Sequence, residues 1–498
     1  MVWQRTPRKR RFLIAAICCA AVLAGTTHAQ ETHFENPVQE GLFNGQTVRY
    51  RTTHAPMTIN GPEGPPAATI YATAYLAIDG DPQRPVMFIW NGGPSVASTT
   101  LHMAGFGPKR LVVPEDPNIP IGPPYALTDN PNTLLDQFDL VFVDPPESGL
   151  SRALNESARH WLYSAEGDAW ILSAFVLDWL AQQGREQSPY YLMGTSYGSI
   201  RAAIMTRHLV ERSRPPAGVV LFSQGVNLIE NTQRAMNYVG FASNLSQMAA
   251  IAWFHGKGEH SDLSLAEVVS QSEEFAMETY LPAIMQGSAL EPERLAAVSS
   301  ALSGWLGLDE AIIRQHHLLV DKGVFKDHLL VDQQLATNDA RYAYPTGEDG
   351  PSNPPISGIA TVWPRYFEDQ FGVPLDEALF RYRAPDTGAW DYGGSSALNG
   401  ELASLGDPRS VFADYDWSGD LAMGFKANPN FKVFIGIGIY DTLTTYGPAR
   451  LLATNPKLPP DGVAFHYYEG GHSFYAHEAV FDALSDDLRH HLLEEPSP

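Results

Sequence analysis

Gly194-Thr195-Ser196-Tyr197-Gly198 sets a serine among small residues in a G-x-S-x-G pattern. The apolar run Tyr190–Met193 precedes it, and a helical pattern from about Tyr197 to Arg212 follows. A serine at such a strand-to-helix turn projects its Oγ away from the backbone, where it can act as a nucleophile. An alcohol is a weak nucleophile until a base takes its proton, and the base needs an acid to orient it. Asp441 follows the apolar run Lys432–Ile437 through Gly438-Ile439-Tyr440, and His472 follows Val463–Tyr468 through Glu469-Gly470-Gly471. Ser196, Asp441 and His472 are the candidate nucleophile, acid and base. Acyl transfer also needs donors for a developing oxyanion. Asn91-Gly92-Gly93-Pro94 comes directly after the run Pro85–Trp90, and glycine lets backbone N–H groups approach a substrate closely. The donors are assigned to the N–H groups of Gly93 and Tyr197.

These residues must be carried by a scaffold that ends several strands at one edge. Pro85–Trp90, Phe138–Asp144, Tyr190–Met193, Val219–Phe222, Lys432–Ile437 and Val463–Tyr468 are short apolar runs, as strands buried on both faces should be. Ala165–Gln183 shows helical spacing, with Trp170, Ala174, Leu177 and Ala181 on one face. Val48–Thr53 and Ala68–Ile78 read as strands of a leading β region, and a last helix is expected from about His477 to Leu492. The alternation predicts an α/β fold with a central, mostly parallel sheet. Between about Asn227 and Leu330 the pattern is helical without a convincing strand. From Tyr342 to Asp407 it is rich in Gly, Pro and aromatic residues. The expected organisation is a core over 30–225 and 411–498, with 226–410 inserted as a large helical cap above the strands' C-terminal ends, where such sheets place their sites.

Five basic residues, Arg5, Arg8, Lys9, Arg10 and Arg11, lead into the apolar stretch Phe12–Gly25, and Thr27-His28-Ala29 follows. This is the pattern of a secretory signal peptide over 1–29, too short in its apolar part to span a bilayer comfortably. The expected location is therefore periplasmic or extracellular, with no membrane attachment after cleavage. Cys18 and Cys19 both lie in this leader, so the mature chain would have no thiol and no disulfide. The whole chain of 498 residues carries a net −23; without the leader, 28 basic residues face 56 acidic ones. So acidic a chain would repel phosphates, which argues against nucleic acid as a partner. There is no metal-ligand spacing, no phosphate-binding glycine loop and no dinucleotide fingerprint, so no cofactor is expected. His490-His491 read as a solvated pair, and His316-His317 as surface or core residues of the helical stretch. Asn155 and Asn244 begin glycosylation sequons by pattern.

Taken in order, Trp90–Pro94, Asp144-Pro145 with Gly149-Leu150-Ser151, Gly194–Gly198, Asp441 and Gly471-His472 resemble the serine carboxypeptidase family of α/β-hydrolases. The resemblance covers roughly 85–225 and 430–480. It implies the triad Ser196, Asp441 and His472, and an oxyanion hole from Gly93 and Tyr197. It also implies that Asn91 hydrogen-bonds the terminal carboxylate of a peptide substrate. The sequence departs from the family where that carboxylate is read. Thr195 stands where the family has Glu before the nucleophile, and Gly105 where it has a second Glu. Those acids form a proton-sharing pair, in which like charges keep one carboxyl protonated as a donor. Ser95 replaces a loop glycine, and Pro146-Glu147 replace an apolar–Gly pair; Glu147 reads as a solvated loop acid. The expected activity is hydrolysis of peptide bonds near a C-terminus through an acyl-enzyme on Ser196. An esterase or acyltransferase on a small acyl substrate is the alternative, and a binding protein that merely kept the fold is the third reading.

Overall fold

Four strands open the chain: β1 (Phe34–Glu35), β2 (Gln39–Phe43), β3 (Gln46–Asn60) and β4 (Pro66–Ala77). β5 (Val86–Trp90) comes next, then a small hairpin of β6 (Lys109–Leu111) and β7 (Leu127–Asp129), then β8 (Asp139–Val143) and β9 (Arg152–Ala153). β10 (Tyr190–Thr195) and β11 (Gly218–Phe222) precede the insertion, which holds the hairpin β12 (Gln333–Leu335) and β13 (Ala343–Pro345). β14 (Lys432–Gly438) and β15 (Val463–Tyr468) follow it. This computed structural model describes residues 33–493 except 349, 387, 389 and 394–414. The expected leader, 1–29, and the last part of the expected insertion lie outside the described residues.

The main sheet runs β1-β3-β4-β8-β5-β10-β11-β14-β15, with β2 added to β3 and β9 to β4. From β8 to β15 every neighbouring pair is parallel, while β3, β4 and β8 pair antiparallel. Val86, Phe88 and Trp90 of β5 face one apolar cluster, and Met87 and Ile89 face the other. The parallel strands are thus covered on both faces, which is why they read as unbroken apolar runs. β3 is longer than Val48–Thr53 and passes through Pro56. At that position β3 is paired to β4, while β1 and β2 pair with it only before residue 55. A strand with a neighbour on one side tolerates proline.

The stretch expected to be helical is built of helices from Tyr238–Ser243 to Lys322–His328. Phe241, Leu245, Ile251, Leu302 and Phe325 join the cluster that contains Phe88 and Trp90. The helix Ile359–Phe371 does something different. Its Trp363, Tyr366 and Phe367 pack with Met87, Ile89 and Phe142 on the opposite face of the sheet. Tyr366 Oη lies 2.6 Å from Tyr75 Oη, which in turn lies 2.6 Å from His102 Nε2. The expected single cap over 226–410 therefore divides between the two faces. The reason is the helix's own apolar stripe: its aromatic side chains each stabilise the fold by about 1.5–3 kcal/mol when they leave water, and the second face offers the place to do so. His491 also departs from expectation. It is half-buried beside Phe434, and burial pushes its imidazole down to about 4.

Candidate active site

The turn after β10 holds Ser196 at φ 56°, ψ −129°. A non-glycine residue there stores on the order of 1–3 kcal/mol of strain, which its surroundings must sustain. Ser196 N donates to Phe222 O at 2.9 Å, and Ser199 donates to Ser196 O from both N and Oγ, at 2.9 and 2.6 Å. Trp90 Nε1 donates to Gly198 O at 3.0 Å and ties the turn to β5. A Cβ on Gly194 would lie 2.1 Å from Gly198 O, so the turn closes only with glycine there.

Asp441 and His472 leave the neighbouring ends of β14 and β15, and the structure brings them together. His472 Nδ1 lies 2.6 Å from Asp441 Oδ2. Because the carboxylate accepts, Nδ1 carries the proton, and Nε2 is the nitrogen that can accept one. The buried carboxylate is held on its other side. Asp441 Oδ1 accepts from Leu443 N at 2.8 Å and Thr444 N at 3.3 Å, and Thr444 Oγ1 lies 2.8 Å from Oδ2. Ser223 Oγ donates to His472 O at 2.9 Å.

The loop after β5 lies against the serine turn. A Cβ on Gly92 would sit 2.6 Å from Thr195 O and 2.7 Å from Tyr197 N. Gly93 has φ 110°, and Tyr197 is the first residue of the helix Tyr197–Glu211, whose opening N–H groups find no acceptor within the helix itself. Two such amides beside one nucleophile can stabilise a tetrahedral oxyanion.

Asn91 is buried, and the loop uses its side chain. Nδ2 donates to Ala97 O at 2.7 Å, and Oδ1 accepts from Leu101 N at 3.0 Å. Here the amide shapes the donor loop, with one Nδ2 hydrogen beyond those bonds. At the two positions where the resemblance puts acids, a phenol stands instead. A Cβ on Gly105 would lie 3.3 Å from the Tyr475 ring, and the Tyr475 hydroxyl sits beside Ser473 and Thr195. Burial pushes this phenol up to about 12, so it stays neutral throughout the ordinary pH range. Glu147 is not a solvated loop acid. It is buried at φ 66°, accepts from Ala153 N at 3.0 Å and pairs with Arg381. Its charge fastens the loop to the segment around Arg381 rather than serving the site.

Several contributors have no readable motif. Gln247, from the helix Leu245–Phe254, donates to Asp441 O and accepts from Tyr446 N. The segment Thr337–Arg341 grips both triad loops. Thr442 donates to Thr337 O from N and Oγ1, Ala340 N donates to Tyr440 O at 2.9 Å, and His472 N donates to Asn338 O. Arg341 bonds Asp339 through Nε and Nη2 and reaches Glu469 O through Nη1. These are mostly backbone contacts, which leave no residue-type signature. Arg201 and Asp168 are a different matter: an arginine inside Ile200-Arg201-Ala202-Ala203-Ile204 is a charge in an apolar helical stretch, and that was the available signal.

A parallel sheet with helices on both faces, a strained serine turn after one strand, and an acid and a histidine after two later ones decide the architecture. The chain has the α/β-hydrolase fold. No protein-family model matches the sequence, and no curated protein matches it. Solved structures of this fold align over most of the chain. The prohormone-processing carboxypeptidase Kex1 of Saccharomyces cerevisiae covers 89% of this chain and 91% of its own, at 10% identity and a TM-score of 0.48. The proline iminopeptidase of Mycobacterium smegmatis covers 88% and 99%, at 12% identity and a TM-score of 0.36. The acetyl esterase MekB covers 89% and 97%, at 13% identity and a TM-score of 0.38. Likenesses this distant say nothing about the reaction, which must be argued from the site.

Proposed function

We propose that this chain is an exported serine hydrolase that forms an acyl-enzyme on Ser196. The observation that carries the reading is the Asp441–His472 pair, held at 2.6 Å and joined to the serine turn through Ser223, which bonds His472 O, and its neighbour Phe222, which bonds Ser196 N. His472 Nε2 takes the proton as Ser196 Oγ attacks the acyl carbonyl. The N–H groups of Gly93 and Tyr197 receive the oxyanion, and His472 returns the proton to the leaving group. Water, activated by the same imidazole, then releases the acid. The substrate class we propose is a peptide cleaved near its C-terminus, on the motif order around the site. The replacement of both acids by Thr195, Gly105 and the intervening Tyr475 supports a second reading, an esterase or acyltransferase, because an ester needs no carboxylate anchor. Export rests on residues 1–29, and the mass of the mature chain tests it.

The test is mass spectrometry of one peptide offered as free acid and as amide, beside a small ester, with Ser196→Ala as the blank. Stepwise C-terminal loss from the free acid alone is the expected result. Turnover of the ester with both peptides intact moves the assignment to the second reading. Full hydrolysis by Ser196→Ala removes the mechanism altogether.

A further inference from the structure

The side chain of Arg201 is fully buried in the helix that begins at the serine turn, and so is that of its partner Asp168. Nε donates to Asp168 Oδ2 at 2.7 Å. Nη1 donates to Asn91 O at 2.8 Å and Nη2 to Pro94 O at 2.9 Å. Those two carbonyls bracket Gly92 and Gly93. The same carboxylate oxygen accepts from Tyr197 Oη at 3.3 Å, and the guanidinium lies 5.2 Å from the centre of the Tyr197 ring. One buried ion pair thus touches Tyr197 directly and holds the two carbonyls that flank Gly92-Gly93.

We propose that Arg201, fixed by Asp168, is the positioning residue of the oxyanion hole: its fork sets the Gly93 N–H against the Tyr197 N–H. This deepens the serine-hydrolase reading and rests on it. Only a planar guanidinium meets the demand. It carries rigid donors that reach a carboxylate and two carbonyls at once, whereas an ammonium on a flexible stem cannot hold two carbonyls of one turn at a fixed spacing. A buried charge is also costly unless it is bonded, so an arginine bonded through each of its three nitrogens resists rearrangement, and the loop inherits that arrangement. The donors matter most when the carbonyl oxygen has become an anion, so Arg201 acts through the transition state and hardly through substrate binding.

The experiment is the time course of Ser196 labelling by a fluorophosphonate, in wild type, Arg201→Lys and Asp168→Asn, with intact mass giving the final labelled fraction. Arg201→Lys is expected to reach the wild-type end point on the order of 10²-fold more slowly, the loss typical of one oxyanion donor. The pH midpoint of labelling, which reports His472, should stay in place. Asp168→Asn is expected to slow labelling by about tenfold and keeps the inference testable should Arg201→Lys fail to fold. A reduced end point reached at the wild-type rate would mean that Arg201 only supports folding, and would overturn the proposal. So would an unchanged rate in both variants while wild type labels at Ser196. A wild-type protein that does not label at Ser196 removes the serine-hydrolase reading, and this inference with it.

Discussion

The loop that carries Gly93 and the loops that carry Asp441 and His472 draw their support in different proportions from the core and the insertion. The donor loop is fixed mainly by buried side chains of the hydrolase core: the Arg201–Asp168 pair, the Asn91 amide, and Asp144, whose Oδ1 accepts from Ser98 N and Oγ at 2.8 and 2.9 Å. The insertion adds two backbone bonds, Ala97 N to Tyr382 O at 3.0 Å and Ala384 N to Ser95 O at 2.8 Å. The acid and base loops touch the core through Ser223, which bonds His472 O and Thr444 Oγ1, but most of their bonds come from Gln247 and the backbone of Thr337–Arg341, both of which belong to the insertion. One half of the site therefore draws most of its bonds from the core. The other half draws most of its bonds from the insertion.

The largest loss is expected at Asp441, the acid proposed to orient His472. Asp441→Asn should leave the shape of the site unchanged while favouring the wrong imidazole tautomer, and kcat should fall on the order of 10⁴-fold with KM little changed. Steady-state kinetics on whichever substrate is turned over checks this. Next comes the brace. Asp339→Ala strips the buried Arg341 of its carboxylate partner and should cost about 3–5 kcal/mol in chemical denaturation, with activity falling alongside stability because Asn338 holds His472. An Asp339→Ala protein as stable and active as wild type would show that the insertion is not a brace. On the donor side, Gly92→Ala should lower kcat on the order of 10²-fold, since its methyl group would meet Thr195 O and Tyr197 N at under 3 Å.

The smallest effect is a pH dependence. Burial raises the Asp144 carboxyl to about 6, against the opposing Ser98 bonds. The folded chain therefore holds this proton more tightly than the unfolded chain, and stability is lost as pH rises from about 4 to about 6. Asp144→Asn keeps an acceptor for Ser98 and removes the titration. Relative to wild type, it should gain roughly 2–3 kcal/mol between pH 4 and pH 7, read from urea curves at the two values.

The parts legible in the sequence are those where residue type dictates conformation. Strands buried on both faces must be unbroken apolar runs, so β5, β8, β10, β11, β14 and β15 could be placed within one or two residues. Gly194 and Gly92 are required by contacts too close for a side chain, and the serine between its glycines marks the turn. Illegible were the contacts made by backbone atoms, such as the grip of Thr337–Arg341, because any residue can supply a carbonyl. The division of the insertion was hidden for another reason. Trp363, Tyr366 and Phe367 announce an apolar stripe, but a stripe does not name the face that will cover it. Glu147 was misread because its partner, Arg381, lies 234 residues further along the chain.

The order of the parts along the chain sets when the proposed site is assembled. Ser196 and Gly93 both precede the end of β11, whereas the brace, the acid and the base arrive at 337–341, 441 and 472. During synthesis more than half of the polypeptide emerges carrying a serine with no base, and only the last strand arms it. On the proposed mechanism, a chain stopped anywhere before residue 472 carries the nucleophile without its base and is silent.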